Sequence, residues 1–399
     1  MRKIDGSVTA AVGFKASGVR CGIKQEGPDL AVICSDTDCA AAGVFTTNKF
    51  KGAPVIANIE TLKSGKGRAI VANSGNANAC TGERGLKDVQ RMCELVGQAA
   101  GVSPDLVYAA STGIIGVPLP MDKLEKGIAE ACHALSETGG DSASRAIMTT
   151  DTFAKTSAYE VQIGGKPVRI GGICKGSGMI HPNMATMLCF ITTDADIDAP
   201  VLQKCLEPNV ARTFNRVTVD GDTSTSDMVI VFANGQSGCP KIAEGTDAYN
   251  IFARALGQIC LDLARDIARD GEGATKFVEI HVKNAASQAD ADTAAMTIAN
   301  SPLVKTAIFG EDPNWGRVLA AAGRSGAEVV PEKTSLWFGD LKLVENGEPL
   351  AVDAETARKP MLGKDLVVTV DLGVGDAAAA AFTCDLSYDY VKINAEYHT

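Results

Sequence analysis

The sequence lacks both the long apolar segment of a membrane protein and the basic excess of a nucleic-acid-binding protein. No apolar run approaches the roughly 18–20 residues that span a bilayer, and residues 1–6 lack the apolar stretch of a signal peptide. The 399-residue chain has a formal net charge of −10, which argues against a surface for nucleic acid or anionic lipid. We therefore expect a cytoplasmic protein with no membrane partner and no nucleic-acid partner.

Patterns for disulfides, metals and nucleotides are also missing. None of the 12 cysteines forms a C-x-x-C pair, and none of the 4 histidines has metal-ligand spacing to another. We expect reduced, mostly buried thiols and no metal site. Residues 171–178 are similar to a phosphate-binding loop, but Ser177 stands where that loop needs a lysine. The glycine-rich segment 73–82 lacks the spacing of a dinucleotide fold, so we expect no cofactor.

The remaining composition is that of a globular protein with regular secondary structure. An apolar content of 45% is typical of a folded chain, and a chain of this length favours two domains or subdomains. Periodicity predicts helices at 85–100, 121–135, 246–268 and 287–307, with a break at Pro302, and another after Pro200. It predicts strands at 31–34, 68–72, 106–110, 186–193, 228–233 and 277–282, a hairpin at 159–170 and a strand-rich tail at 334–390. The mixture, without a regular βαβ repeat, predicts α/β or α+β layers with mostly antiparallel sheets.

The most informative segment is residues 175–188, in which a loop-like stretch ends in Ala185-Thr186 and an apolar run follows. Glycines, Pro182 and Asn183 make its first half a poor helix or strand. The Thr186 hydroxyl could attack the Ala185 carbonyl, and hydrolysis of the ester would free Thr186 as a new N-terminus. The α-amine could then serve as the base for its own hydroxyl. On residue types alone, an ordinary glycine-rich loop before a buried strand is the simpler interpretation.

The segment 175–188 closely resembles the cleavage segment of the glutamate N-acetyltransferase / ornithine acetyltransferase family, the self-processing enzymes of arginine biosynthesis. Further segments resemble family segments in family order, at 73–82, 111–116, 148–153, 215–225, 270–276 and 312–317. They cover the chain nearly end to end, so the chain is identified as a member of this family. The resemblance implies a helix–sheet–sheet–helix sandwich with a smaller domain. It also implies cleavage into an N-terminal (alpha) chain, 1–185, and a C-terminal (beta) chain, 186–399.

The activity that the resemblance implies is a ping-pong acetyl transfer. Acetyl passes from N-acetylornithine to Thr186 and then to glutamate, which gives ornithine and N-acetylglutamate. Acetyl-CoA is a second acetyl donor in some family members, and a heterotetramer of two alpha and two beta chains is expected. Three alternatives stay open. They are an N-terminal-nucleophile amidohydrolase or aminopeptidase in which water replaces glutamate, a paralogue of secondary metabolism, and a non-enzymatic binding protein.

The resemblance also assigns site residues. Thr112 and Gly113 match the oxyanion hole, where a hydroxyl and a backbone N–H at a tight turn are preorganised donors. The positions that match substrate contacts are Thr152, Lys175, Thr186, Glu272, Asn394 and Thr399. Lys175 would attract a carboxylate, and Glu272 would attract the side-chain amine of ornithine. From the residues alone, Thr112 and Gly113 read as an ordinary capped turn, and Glu272 reads as a solvated loop carboxylate.

Overall fold

The computed structural model describes residues 1–181 and 187–396. The strands are β1 (Arg2–Lys3), β2 (Phe14–Val19), β3 (Leu30–Phe45), β4 (Lys66–Asn76), β5 (Val107–Ile114), β6 (Lys155–Ile163), β7 (Lys166–Lys175), β8 (Leu188–Thr193), β9 (Met228–Ala233), β10 (Phe277–Ala285), β11 (Ser335–Phe338), β12 (Leu341–Glu345), β13 (Glu348–Pro349), β14 (Asp365–Asp371) and β15 (Ala377–Cys384). The α-helices are α1 (Ala53–Leu62), α2 (Gly82–Ala100), α3 (Met121–His133), α4 (Gly140–Ala146), α5 (Ala199–Arg212), α6 (Asp247–Arg269), α7 (Gln288–Ala299), α8 (Pro302–Phe309), α9 (Trp315–Gly323), α10 (Ala354–Arg358) and α11 (Tyr388–Glu396).

Nine strands form the larger sheet, in the order β1-β6-β7-β8-β9-β3-β4-β5, with β2 also paired to β3. Most neighbours are antiparallel, whereas β4–β5 and β8–β9 are parallel. The 16-residue β3 joins two halves of the sheet, because residues 30–35 pair with β2 and residues 40–45 pair with β9. The register of β3 against β4 shifts between Cys34 and Cys39, and such an irregularity bends a strand.

The two halves of the larger sheet pack face to face between helices. Side chains alternate along each strand, and Phe190 of β8 packs with Ile33 of β3 in a central core. The next residue, Ile191, contributes to the core formed with α5 and α6. On the other side, Val32 contributes to the core formed with α2 and α3. This arrangement confirms the predicted helix–sheet–sheet–helix sandwich with mostly antiparallel strands.

A second, smaller unit follows α6. Its six-stranded sheet has the order β13-β12-β11-β14-β10-β15. One face of that sheet forms a separate core with α7 and α9, to which Ile280, Ile298 and Val368 contribute as fully buried side chains. The prediction of a second, smaller unit is therefore confirmed.

The structure bears on the predictions made for the cysteines, for metal binding and for membrane-spanning segments. All 12 cysteines are free, and 7 of them are buried, 4 are half-buried and Cys80 is exposed. Within residues 1–181 and 187–396, no group of three or more His, Cys, Asp or Glu side chains could hold a metal ion. No helix of that same part of the chain is long and apolar enough to cross a membrane.

Candidate active site

One cleft brings together most of the predicted site residues that the structure describes. It is a small cleft, with a cavity volume of about 70 Å³. Its walls come from the ends of β5 and β7, from the loops before β6 and β9, from the loop after α6, and from α11. The lining residues are Ala77, Thr112, Gly113, Ile115, Thr149, Thr150, Lys175, Gly178, Met179, Ser224, Thr225, Ser226, Glu272 and Asn394.

Thr112 and Gly113 lie in the cleft wall near the end of β5. Gly113 has φ +130°, and a Cβ there would lie 2.4 Å from the carbonyl carbon of Gly75. Glycine is therefore required for β5 to approach β4 this closely. Thr112 is only 4% exposed, and Lys175 Nζ donates to its Oγ1 at 3.5 Å. The predicted tight turn is wrong, because both residues lie within β5. A hydroxyl, a backbone N–H at a position that requires glycine and a cation nevertheless meet at one place, as stabilisation of an oxyanion would use them.

Two buried groups of opposite charge line the same cleft. Lys175, at the end of β7, is 3% exposed, and no carboxylate of the described residues forms an ion pair with it. Glu272 is also buried, and its Oε2 accepts from Asn394 Nδ2 at 2.8 Å. The Glu272 carboxyl packs on Gly178, where a Cβ would lie 2.3 Å from the carboxyl carbon. The cleft therefore presents a cation and a carboxylate to a small molecule that carries both charges.

A buried ion-pair cluster fixes the loops that carry these groups. Lys155 Nζ lies 2.7 Å from Asp151 Oδ1 and 2.5 Å from Asp270 Oδ2. Asp151 also accepts from the N–H of Gly176 at 2.7 Å, and Asp270 accepts from the N–H of Thr152 at 3.0 Å. The cluster thereby ties the loop before β6 to the start of the 176–178 loop and to the end of α6.

The opposite charges of this cluster offset the effect of burial on one another's pKa. Burial alone would raise the pKa of Asp151, but the ammonium groups of Lys155 and Lys175 hold it well below its usual range. Burial would likewise lower the pKa of Lys155, yet Asp151 and Asp270 raise it above its ordinary value. Removing one partner would leave an uncompensated charge in the interior.

Replacing Lys155 by methionine should therefore lower the free energy of unfolding by about 3–5 kcal/mol, the usual effect of breaking a buried ion pair. Urea unfolding at neutral pH, followed by circular dichroism, measures the change. The matched control is Lys15→Met, which removes an ion pair to Asp36 whose two side chains are 39% and 49% exposed and should leave the stability nearly unchanged. Equal losses in the two variants would contradict the role assigned to the cluster.

The structure places Thr152 beside the cleft and not in its wall. Thr152 is exposed, and its hydroxyl donates to Asp270. The neighbouring Thr149 and Thr150 line the cleft instead. The predicted substrate contact through Thr152 stays a prediction.

Ala185, Thr186 and Thr399 lie outside the described residues, so the cleavage site and the predicted contacts of Thr186 and Thr399 also stay predictions. The described chain resumes at Met187, the residue after Thr186. The N–H of Met187 donates to Asp227 Oδ1 at 2.8 Å, and its carbonyl accepts from the N–H of Met228 at 3.0 Å.

The residues just before β9 had no predicted role, although 215–225 is one of the segments that resemble the family. Ser224, Thr225 and Ser226 line the cleft. Thr225 Oγ1 is buried and has no hydrogen-bond partner within the described chain. The available signal was a run of hydroxyl residues that ends in Asp227 directly before a wholly apolar strand. Such a run places polar groups at the mouth of a buried strand.

The family model and the sequence relatives match this chain over nearly its whole length. A family model described as the ArgJ family matches residues 15–399. The arginine biosynthesis bifunctional protein ArgJ of Symbiobacterium thermophilum is 53% identical over 402 residues, which cover 100% of both chains. The protein of the same name from Caldanaerobacter subterraneus subsp. tengcongensis is 49% identical over 403 residues, again 100% of both. The crystal structure of arginine biosynthesis bifunctional protein argJ from Bacillus halodurans is 44% identical, with a TM-score of 0.51, and covers 52% of this chain and 98% of that chain.

Proposed function

The chain belongs to the ArgJ family, and we propose that it cuts itself between Ala185 and Thr186 and then transfers acetyl from N-acetylornithine to glutamate through Thr186. It is an acyltransferase of arginine biosynthesis. The observation that carries the proposal is the cleft in which Thr112, Gly113, Lys175 and Glu272 meet. It combines oxyanion donors with one charge of each sign, as an acyl transfer between amino acids needs.

The fold is compatible with a cut at this junction. Cleavage would give chains of 185 and 399 − 185 = 214 residues. The strand before the junction, β7, pairs with the strand after it, β8, with Cys174 opposite Cys189, and β3 pairs with β9. Both products would therefore stay in one sheet. The solved Bacillus halodurans chain aligns over nearly its whole length with 52% of this chain, the share expected of one product.

The proposed first half-reaction forms an ester on Thr186. The Thr186 Oγ attacks the acetyl carbonyl carbon of N-acetylornithine, and the hydroxyl proton passes to the Thr186 α-amine. The Thr112 hydroxyl and the Gly113 N–H donate to the tetrahedral oxyanion. The intermediate collapses as the C–N bond breaks, and the proton moves to the departing amine of ornithine. An α-amine has an ordinary pKa of roughly 7.7–8.0, so a substantial neutral fraction is available as the base.

The second half-reaction reverses these steps with glutamate as the acceptor. The amine of glutamate attacks the ester carbonyl, loses a proton to the Thr186 α-amine, and leaves as N-acetylglutamate, while Thr186 Oγ regains its proton. Donor and acceptor share an α-carboxylate, for which Lys175 supplies the charge. The ornithine part of the donor also carries a cationic amine, for which Glu272 supplies the countercharge.

A substrate panel tests this function. We expect N-acetylglutamate to form from N-acetylornithine and glutamate, and a second reaction with acetyl-CoA and glutamate determines whether that donor is used. Deacetylation of N-acetylornithine at the same rate with and without glutamate would instead assign an amidohydrolase. We further propose, from the family resemblance, that two copies of each product assemble as a heterotetramer in the cytoplasm. The mass of the purified protein by light scattering checks the assembly.

Replacing Glu272 by glutamine should lower kcat/KM for N-acetylornithine by about 1.5–3 kcal/mol in transition-state free energy, the range of one charge-assisted hydrogen bond. The glutamate half-reaction should change little, because glutamate has no side-chain cation. Lys175→Met should impair both halves. The measurement is steady-state kinetics in each direction on fully cut protein.

The control for Glu272→Gln is Glu279→Gln, since Glu279 is a largely buried carboxylate on β10 that is paired with Arg265 and does not line the cleft. This control should leave both half-reactions unchanged. Equal losses for Glu272→Gln toward ornithine and glutamate would reject the division of labour between the two charged residues.

A further inference from the structure

Among the described residues a single lysine, Lys175, lines the cleft, whereas glutamate carries two carboxylates. In the proposed reaction Lys175 supplies the charge for the α-carboxylate that donor and acceptor share. The second carboxylate of glutamate lies on its side chain, and the carboxylate of Glu272 would repel it. A site that takes glutamate as its acceptor is therefore expected to offer another cation, away from Glu272.

Lys24 lies beside one wall of the cleft. It is half-buried, and its Nζ donates to the carbonyl of Met148 at 2.8 Å. The next two residues, Thr149 and Thr150, line the cleft. The Thr149 N–H donates in turn to Asp151 Oδ2 at 3.0 Å, so the peptide group between Met148 and Thr149 is held from both sides. The Lys24 ammonium is therefore fixed next to a cleft wall that carries two hydroxyl residues.

A buried carboxylate fixes the loop that carries Lys24. Asp29 is 0% exposed, and its side-chain oxygens accept the four consecutive backbone N–H groups of residues 21–24. Its carbonyl accepts the N–H of Ser74 at 2.9 Å, and Ser74 lies opposite Thr112 in the pairing of β4 with β5. The loop is thereby built against the strand ends that carry the predicted oxyanion donors.

The stem of Lys24 packs on the same strand end. A Cβ on Gly75 would lie 2.8 Å from Lys24 Cγ, and Gly75 lies opposite Gly113 in β5. Glycine at position 75 therefore leaves room for the lysine stem to cross the end of β4. The loop, the strand end and the Met148 carbonyl together define where the ammonium lies.

In the described part of the chain, no carboxylate forms an ion pair with Lys24. Burial lowers the pKa of Lys24 below its ordinary value, and the charge of Lys175 lowers it further. Asp29 and Asp151 oppose this shift, but Asp29 is occupied by backbone N–H groups and Asp151 by Lys155. A carboxylate bound at Lys24 would therefore offset the cost of burying its charge.

We propose that Lys24 binds the side-chain carboxylate of glutamate and thereby selects glutamate as the acceptor, while Lys175 holds the α-carboxylate. The hydroxyl groups of Thr149 and Thr150 are further donors for the same carboxylate. N-acetylornithine has no side-chain carboxylate, so Lys24 has no partner in the first half-reaction. This role rests on the proposed function, and it adds no bond-making step to the reaction.

Glutamine as an alternative acceptor tests the role, because it has the length of glutamate without the side-chain charge. On fully cut protein, Lys24→Gln should lower kcat/KM for glutamate about 10- to 100-fold, the range of one charge-assisted hydrogen bond. The values of kcat/KM for glutamine and for N-acetylornithine should change little. Lys24→Arg retains the cation and should keep most of the preference for glutamate over glutamine.

The matched control is Lys123→Gln, which also removes a lysine–carbonyl hydrogen bond from the loop 21–24. Lys123 is an exposed residue of α3, and its Nζ donates to the carbonyl of Gly22 at 2.7 Å. The preference for glutamate over glutamine should be unchanged in this control, and a loss of preference there would assign the effect to the loop. Equal losses toward glutamate and glutamine in Lys24→Gln would overturn the inference while leaving acetyl transfer intact.

The wild-type protein provides a check that needs no variant. It should use glutamate at least about 10-fold better than glutamine. Equal use of the two acceptors would reject a cation for the side-chain carboxylate, whether or not the Lys24 variants fold. Wild-type protein that transfers acetyl to neither amino acid would instead reject acetyl transfer itself, and the role of Lys24 with it.

Discussion

Replacing Thr186 by alanine should leave one uncut chain of 399 residues with no measurable acetyl transfer. The same hydroxyl is needed twice, first to attack the Ala185 carbonyl and then to carry the acetyl group. Removing the nucleophile from a hydroxyl-based acyl-transfer site costs on the order of 10⁶ in turnover. A denaturing gel separates the outcomes, because wild-type protein should give two bands, the larger of which begins at Thr186 by N-terminal sequencing.

The control for this variant is Thr186→Ser, which keeps a hydroxyl on the same backbone position. It should still be cut, more slowly, and should keep part of its activity. A Thr186→Ala protein that is cut between residues 185 and 186, or an active enzyme whose junction is intact, would contradict both the cleavage and the use of the α-amine as base.

Thr112→Ala should reduce kcat by about 10²–10³ on fully cut protein, the usual effect of losing one oxyanion donor. Thr112 is 4% exposed in the cleft wall, and its backbone lies in β5. Removing the hydroxyl should therefore change the reaction far more than the fold. The measurement combines kcat for acetyl transfer with the midpoint of thermal unfolding, and Thr112→Ser, which restores the hydroxyl, should recover most of the rate.

The contact between Lys175 Nζ and Thr112 Oγ1 at 3.5 Å gives a second explanation for a lower kcat in Thr112→Ala. Removing the hydroxyl would also remove this contact and could displace the Lys175 side chain. A double-mutant cycle with Lys175→Met separates the two explanations. If the effects of Thr112→Ala and Lys175→Met add, the hydroxyl acts directly on the oxyanion. Near-normal turnover of Thr112→Ala would show that the hydroxyl does not stabilise the oxyanion.

The sequence predicted the elements that have a clear pattern of their own. The apolar run at Met228–Ala233 is β9, and the helical spacing at 246–268 corresponds to α6, which Thr246 caps by accepting from the Tyr249 N–H. Pro302 separates α7 from α8 as expected. In each case, the local sequence and the tertiary packing favour the same conformation.

Elements without such a pattern were missed for physical reasons. The predicted strand 31–34 is the first part of the 16-residue β3, and the polar residues 35–38 hid its continuation into the second half of the sheet. The seven-residue α4 consists mostly of small residues that are buried on several sides, so it shows no apolar stripe. The helix α11 has no buried residue, and nothing in its apolar spacing distinguished it from the strand-rich tail predicted up to residue 390.

The site residues divide in the same way, into those that the sequence identified and those that only the tertiary structure shows. The roles of Thr112, Gly113, Lys175 and Glu272 came from resemblance, and the structure brings these four residues into one cleft. The Asp270 partner of Lys155 and the Met187 contact of Asp227 depend on which elements become neighbours. Lys155 and Asp270 are 115 positions apart, and the pairing of β8 with β9 leaves no mark in either strand alone.

The most direct test of acetyl transfer through Thr186 is the intact mass of both chains after the purified enzyme is mixed with N-acetylornithine in the absence of glutamate. The chain that begins at Thr186 should gain the mass of one acetyl group, peptide mapping should place it on Thr186, and added glutamate should remove it as N-acetylglutamate. Acetyl transfer to glutamate that proceeds while the Thr186 chain never carries an acetyl group would contradict the account.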